Sequence, residues 1–173
     1  VSDSWARFSA DRTFRYLLGR RICDSKRRLL FIMLNPGTAD ETYNDPTIRR
    51  CIGFAEKWNF GVLEVANLFA FRTSYVEELR SADDPVGPEN DAWISRALDS
   101  ADRVVLAWGN HGSYKDRSRQ IRQQVFAQTT PFHLGFNKTG EPKHPLYLRA
   151  STSLVPMRAD ILTNRQTNEI DTR

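Results

Sequence analysis

Cysteine, histidine and methionine are scarce in this sequence: 173 residues carry two Cys, three His and two Met. Cys23 and Cys51 stand far apart, without Cys-x-x-Cys spacing and without a neighbouring histidine. That spacing excludes a structural zinc site, an iron-sulfur cluster and a disulfide framework, and both residues are predicted to be buried thiols. His111, His133 and His144 form neither a His-x-x-x-His nor a His-x-x-Glu pattern, so no metal and no cofactor is predicted. Glycine is also sparse, and the Gly-x-Gly-x-x-Gly and Gly-x-x-x-x-Gly-Lys-Ser/Thr loops of dinucleotide and P-loop proteins are missing. No apolar run reaches the length of about eighteen residues that a membrane span needs. The sequence opens Val1-Ser2-Asp3-Ser4-Trp5 rather than with a basic stretch followed by an apolar one. The expectation is a cytoplasmic monomer with no membrane partner.

What is present fits one domain: 40% of the residues are hydrophobic, enough to bury a central sheet with helices against it. Residues 1–156 are predicted as a single α/β domain and 157–173 as a polar C-terminal tail. The net charge of +4 permits binding to a polyanion without requiring it. Arginine and lysine cluster at Arg12, Arg15, Arg20, Arg21, Lys26, Arg27 and Arg28, and again at Lys115, Arg117, Arg119 and Arg122. Each cluster reads as a phosphate-facing patch or as a solvated face.

Along the chain, 14–22 alternates as a half-exposed strand near a sheet edge. Leu29-Leu30-Phe31-Ile32-Met33-Leu34 is a continuous apolar run stopped by Asn35-Pro36-Gly37, the pattern of a central parallel strand buried on both faces. Asp45-Pro46 offers a helix N-cap with Pro at the first helical position, and Ile48, Cys51, Ile52, Phe54, Ala55 and Trp58 follow at helical spacing. Val62 to Leu68 predicts a second strand, 84–88 a long exposed loop, and Glu89 to Ser100 a helix. Arg103 to Trp108 predicts a third strand with a turn at Gly109-Asn110-His111-Gly112, and Tyr114 to Phe126 a helix. Pro131 to Phe136 predicts a fourth parallel strand, and 137–145 a polar loop bearing His144. The βα alternation predicts a doubly wound open sheet. In such sheets ligands bind outside the carboxyl ends of the strands, so Asn35, Asn67, Gly109, Asn110 and His144 are expected on one rim.

The chemistry on that rim is limited. Asn35 directly follows the central strand, and Gly37 lets a ligand approach the backbone. A carboxamide is no base, but it can hold a water, with Asp40 or Asp45 to accept a proton. The plainer reading makes Asn35 and Asp40 turn residues and Asp45 the helix cap. Asn67 ends an apolar strand, where burial demands a partner for its carboxamide: a ligand's polar edge or the local backbone. His144, in a loop, is the better functional candidate. His133, inside an apolar strand, reads as packed, and His111 stays open.

These segments resemble the uracil-DNA glycosylase superfamily, most closely in the motifs of its mismatch-specific and thermophile-type branches. Phe31-Ile32-Met33-Leu34-Asn35-Pro36-Gly37 resembles the first active-site motif. Val65-Ala66-Asn67-Leu68-Phe69-Ala70-Phe71-Arg72 is similar to the strand whose Asn reads the base edge. Val104-Val105-Leu106-Ala107-Trp108-Gly109 resembles the apolar strand ending in Trp-Gly, and His144-Pro145 the start of the last motif. The motifs stand in the superfamily's order across about residues 29 to 149. The chain also resembles a bacterial family of unassigned function marked by Asn-Pro-Ser/Gly-Thr-Ala-Asp and then Asp-Pro-Thr, here Asn35 to Asp40 and Asp45 to Thr47.

The superfamily resemblance implies a three-layer α/β/α fold with a mostly parallel four-stranded central sheet of uracil-DNA glycosylase type. It implies hydrolysis of the N-glycosidic bond of a damaged or modified base in DNA. Catalysis would fall to Asn35, His144 and Asp40, base binding to Asn67, Tyr43, Phe69 and Gly37, and phosphate binding to Arg72, Arg149, Gly109 and Asn110. The partner would be DNA, single- or double-stranded, or a nucleotide. Where the superfamily has small residues and a duplex-entering wedge after His-Pro, this chain has Leu146-Tyr147-Leu148-Arg149. Two rivals share the scaffold: a non-catalytic protein that binds nucleic acid or a modified nucleotide, and an enzyme acting on a free nucleoside or nucleotide.

Overall fold

A computed structural model describes residues 4–159. Its framework is a seven-stranded mixed sheet: β1 (Ser4–Phe8), β2 (Arg15–Arg21), β3 (Arg28–Met33), β4 (Val62–Asn67), β5 (Arg103–Leu106), β6 (Phe132–His133) and β7 (Val155–Pro156), in the spatial order β1-β2-β4-β3-β5-β6-β7. Pairs β4-β3, β3-β5 and β5-β6 are parallel, whereas β1-β2, β2-β4 and β6-β7 are antiparallel. This corrects the expected mostly parallel, four-stranded sheet of uracil-DNA glycosylase type. Half of the strand pairings are antiparallel, and three strands beyond the four of that expectation complete the sheet.

The periodicity of β3 explains the layering. Side chains alternate across a strand, and Leu29, Phe31 and Met33 pack with Ile48, Cys51, Phe54 and Ala55 of α1 (Pro46–Lys57). Leu30 and Ile32 point the other way, into a cluster with Leu79 of α2 (Val76–Ser81), Ile94, Ala97 and Leu98 of α3 (Asn90–Ser100), and Ile121 and Val125 of α4 (Arg117–Phe126). One helix thus covers one face and three cover the other. The chain moves from β3 to β4 on one side, then crosses to β5 on the other, and crossovers of one hand place their helices on opposite faces.

Local chemistry sets the helix ends. The Asp45 carboxylate accepts the Ile48 N–H at 2.9 Å with Pro46 in the first turn, as the sequence predicts. Other expectations are corrected. The strand at 14–22 is not half-exposed at an edge: β2 lies between β1 and β4 and is buried from Arg15 to Arg20. The helix predicted from Tyr114 starts at Arg117, after a 3-10 segment Asn110–Asp116 in which Lys115 and Asp116 have positive φ. The fourth predicted strand is reduced to the two residues of β6. In the loop 84–88, Pro85 and Gly87 are buried, because the N–H groups of Phe71 and Ala70 donate to the Pro85 and Val86 carbonyls. Cys51 is buried but Cys23 is exposed. Of the predicted tail, residues 160–173 lie outside the described residues, while Met157 is buried and donates its N–H to Pro131.

No helix among the described residues is long and apolar enough to cross a membrane. Gly61, at the entry to β4, makes the tightest approach of the described glycines: a Cβ there would lie 1.6 Å from the Ser25 carbonyl oxygen. Since backbone rather than a mobile side chain must give way, Gly61→Ala is expected to cost about 1–3 kcal/mol, the usual range for overpacking. Urea denaturation monitored by tryptophan fluorescence measures it, and an unchanged midpoint would refute the packing argument.

Candidate functional site

The carboxyl ends of β3 and β5 and the loop after β6 open onto a cavity of about 710 Å³, within the size range of ligand pockets. Its lining includes Asn35, Gly37, Asp45, Thr73, Gly109, Asn110 and His144, together with Arg15 of the first basic cluster, Lys143, and Tyr147 from the segment after His144-Pro145. The N-terminus of α1 enters the wall at Asp45, Pro46 and Thr47.

Asn35 is held by its amide nitrogen. Nδ2 donates to the Thr73 carbonyl at 2.6 Å and to the Pro36 carbonyl at 3.2 Å. With both N–H groups engaged by backbone, the carboxamide orientation is set and Oδ1 is the atom it offers to a ligand or water. Thr73 is itself fixed, its N–H donating to Pro36.

His144 caps the 3-10 turn Pro145–Tyr147, its Nδ1 accepting the Leu146 N–H at 3.3 Å. An Nδ1 that accepts carries no proton, so the neutral ring has its hydrogen on Nε2 and is a donor there. Burial pushes the His144 pKa below 6.5, with the Asp45 charge opposing, so the neutral form prevails at pH 7. The loop that carries His144 is anchored by Glu141, which is 3% exposed. Its Oε2 accepts from Trp108 Nε1 at 2.6 Å and from Arg122 at 2.8 Å, and its Oε1 accepts from Ser118 at 3.0 Å. Backbone pairing of Gly109 N–H with the Pro142 carbonyl closes the same corner, with Gly109 at φ +77°.

The innermost charged group is Arg15, at the start of β2 and 2% exposed. Because β2 runs antiparallel to β4, its first residue meets the carboxyl end of β4, and Arg15 therefore shares the rim with the ends of the parallel strands. Nη1 donates to the Ala39 carbonyl at 2.9 Å and Nη2 to Asn67 Oδ1 at 3.4 Å. Nε has no partner among the described residues, and Nδ2 of Asn67 is likewise buried without one. Desolvation brings the Arg15 pKa down to about 10, partly offset by the Asp45 charge, which leaves the guanidinium charged at neutral pH.

Most of the other predicted residues fall elsewhere. Asn67 is 1% exposed and lies behind Arg15 rather than in the lining. Asp40 is outside the lining, where its Oδ1 accepts the N–H groups of Thr42 and Tyr43, and these bonds hold its carboxyl below the usual range. Tyr43 is 51% exposed and outside the lining, and Phe69 is fully buried in the core against Tyr114. Arg72 borders a shallower neighbouring hollow, where it stacks on Phe8 and donates to the Arg12 carbonyl. Arg149 is exposed and outside the cavities described. Gly109 and Asn110 line the cavity, but Gly109 N–H is committed to Pro142, and Asn110 Oδ1 accepts from Thr139. No cluster of three or more metal-ligating side chains occurs among the described residues.

A family model described as a protein of unknown function (DUF1643) matches residues 15–146, well over half of the chain and nearly all of the cavity lining. The chain therefore belongs to that family, whose description states no activity and supplies no link to the uracil-DNA glycosylases. No curated protein and no solved structure matches the chain.

Two outcomes are expected from this site. Removing the Glu141 carboxylate strips Trp108, Ser118 and Arg122 of one buried acceptor. Glu141→Ala should therefore cost about 3–5 kcal/mol, as breaking buried ion pairs does, and calorimetric melting checks it. The pH dependence follows from His144: its folded pKa lies below 6.5, so under acid the unfolded chain binds more protons. Its contribution is complete above pH 6.5 and is lost as the pH falls through the folded value. His133, also lowered by burial, acts in the same direction. Stability measured from pH 7.5 to 5 should fall, and less steeply in His144→Asn; parallel curves would contradict the assignment.

Proposed function

With membership of the DUF1643 family as the premise, we propose that the chain is a hydrolase of the N-glycosidic bond of a nucleobase, acting on a damaged or modified base in DNA. The observation that carries this reading is the pairing, in one cavity, of an oriented carboxamide oxygen at Asn35 with a neutral Nε2–H donor at His144. The two groups match the two needs of the reaction. The bond from the sugar C1′ to nitrogen breaks with its electron pair leaving on the base, water adds its oxygen to C1′, and the proton that the water gives up passes through solvent to the departing base. Asn35 Oδ1 accepts a hydrogen bond from that water. The His144 donor faces the oxygen on which the base gathers negative charge, a bond that strengthens as the transition state forms. The carboxylate of Asp45, held by the Ile48 and Ala39 N–H groups in the cavity wall, favours positive charge on the sugar. Asp40, committed to its turn, is left out of the mechanism.

The mouth supports a strand as the carrier of the base. Tyr147 is 91% exposed there, beside a hollow lined by Arg49 and Arg50. An exposed ring flanked by arginines suits stacking on a base and contact with phosphates. Phe69 is locked in the core and Tyr43 stands outside the cavity, so neither stacks on a base within it.

Single-turnover assays on labelled oligonucleotides with uracil, hypoxanthine or xanthine test the proposal, with the free nucleosides and nucleotides alongside. Abasic sites should form with the wild type, and Asn35→Ala or His144→Ala should slow the reaction about a hundredfold. Tight binding without cleavage would replace the enzyme by a binding protein. Cleavage confined to monomers would move the substrate to the free nucleotide.

A further inference from the structure

The Arg15 guanidinium carries a charge that the protein does not match. Of its two hydrogen bonds one goes to a backbone carbonyl and the other, a long one, to a carboxamide oxygen. No carboxylate lies within ion-pair distance of it among the described residues. Asp45, the larger influence of opposite sign, is engaged at the end of α1, Asp40, the smaller, is committed to its turn, and Arg72 and Arg20 add charge of the same sign. A buried cation without a paired anion is costly. Contrast Arg20, also buried, which donates to Asn44 Oδ1 and to the carbonyls of Gly19, Asp40 and Tyr43. Arg20 is consumed by the fold and Arg15 is not.

The unmet capacity is all of one kind. Arg15 Nε and Asn67 Nδ2 are donors, both buried and without acceptors among the described residues. A complementary group accepts and does not donate. An anionic group with two oxygens does this best, since it matches the planar guanidinium and takes charge-assisted bonds. Among the charged side chains of the lining, Arg15 and Lys143 are positive and Asp45 is negative, which leaves an excess of positive charge.

We propose that Arg15, backed by Asn67, is the receptor for an anionic oxygen group at the inner end of the ligand. Either the terminal phosphate of a nucleotide-like molecule or the ionised oxygen edge of a nucleobase carries that chemistry. The inference goes beyond the glycosidic reading and does not rest on it, because it concerns binding and not bond cleavage.

Titration calorimetry and thermal melting of the whole protein test it, with inorganic phosphate as one probe and xanthine against hypoxanthine as the other. Xanthine has two oxygens and loses a proton near neutral pH, whereas hypoxanthine has one and stays neutral. Phosphate raising the melting temperature would identify a phosphate terminus. Xanthine binding that strengthens with pH, without hypoxanthine binding, would identify an ionised base. In either case Arg15→Met should weaken the probe about tenfold or more, and Arg15→Lys, by keeping the bond to Ala39, separates the loss of the receptor from any loss of stability. Arg15→Lys, which keeps a charge and a donor toward Ala39, should fold and bind with intermediate strength. If neither probe binds the wild type, or if binding survives in Arg15→Met, the proposal is overturned. An Arg15→Met protein that melts lower, rescued in stability by Arg15→Lys with no probe bound by any form, would make Arg15 a structural residue only. Failure of base cleavage would leave all of these readouts intact.

Discussion

Everything at the cavity depends on how β2 grips the loop after β3. A loop that leaves a buried parallel strand exposes carbonyls that need donors. Here they come from two buried arginines on one strand: Arg15 reaches Ala39, and Arg20 reaches Asp40 and Tyr43. Ser4 on β1 adds a bond to the Glu41 carbonyl, and Arg12 pairs with the Glu41 carboxylate. The N-terminal hairpin thus widens the sheet and fixes the segment from Asn35 to Asp45. With that segment fixed, the Asn35 carboxamide, the cap of α1 and one wall of the cavity take their places together.

Two kinds of group result. Asn35 and His144 are each tied by one side to backbone and present the other to the cavity, so their orientation costs the ligand little entropy. Arg15 differs, since its partners are too few for its donors. A site that mixes oriented neutral groups with an undersatisfied cation is suited to a ligand whose charge is unevenly distributed. Glu141 serves the same end from behind: it ties the end of β5, α4 and the His144 loop into one rigid corner.

Much of this was legible in the sequence, and the reasons for the rest are physical. The run Leu29–Met33 and the Asp45-Pro46 cap announce themselves through local chemistry, and the rim of Asn35, Gly109, Asn110 and His144 follows from ligands collecting at strand ends. Strand direction does not announce itself. Nothing in 14–22 says that it runs antiparallel to 62–67, and the reversal is what brings Arg15 to the rim, so its role was hidden within a basic cluster. A strand as short as β7 carries too little periodicity to be seen, and the apolar residues of Pro131 to Phe136 overstate the length of β6. Asp40 and Tyr43 sit near Asn35 in sequence, yet the turn that they form directs them away from the cavity, and Phe69 sits near Asn67 but is turned into the core. Glu141 offers no motif at all: its signal is three donors from two distant segments, the end of β5 and α4, converging on one carboxylate.

The antiparallel flanks have a consequence for life at high concentration. A sheet that ends in long, regular strands offers its unpaired backbone to other chains, and neighbouring molecules can zip together edge to edge. At one side of this sheet the last strand is two residues long and ends in Pro156, whose nitrogen has no hydrogen to give. At the other, the register of β1 slips between Arg7 and Phe8, which interrupts a straight template. The parallel strands that hold the cavity are thereby kept out of reach of such templating, and the same additions that misled the strand count insulate the molecule from aggregation.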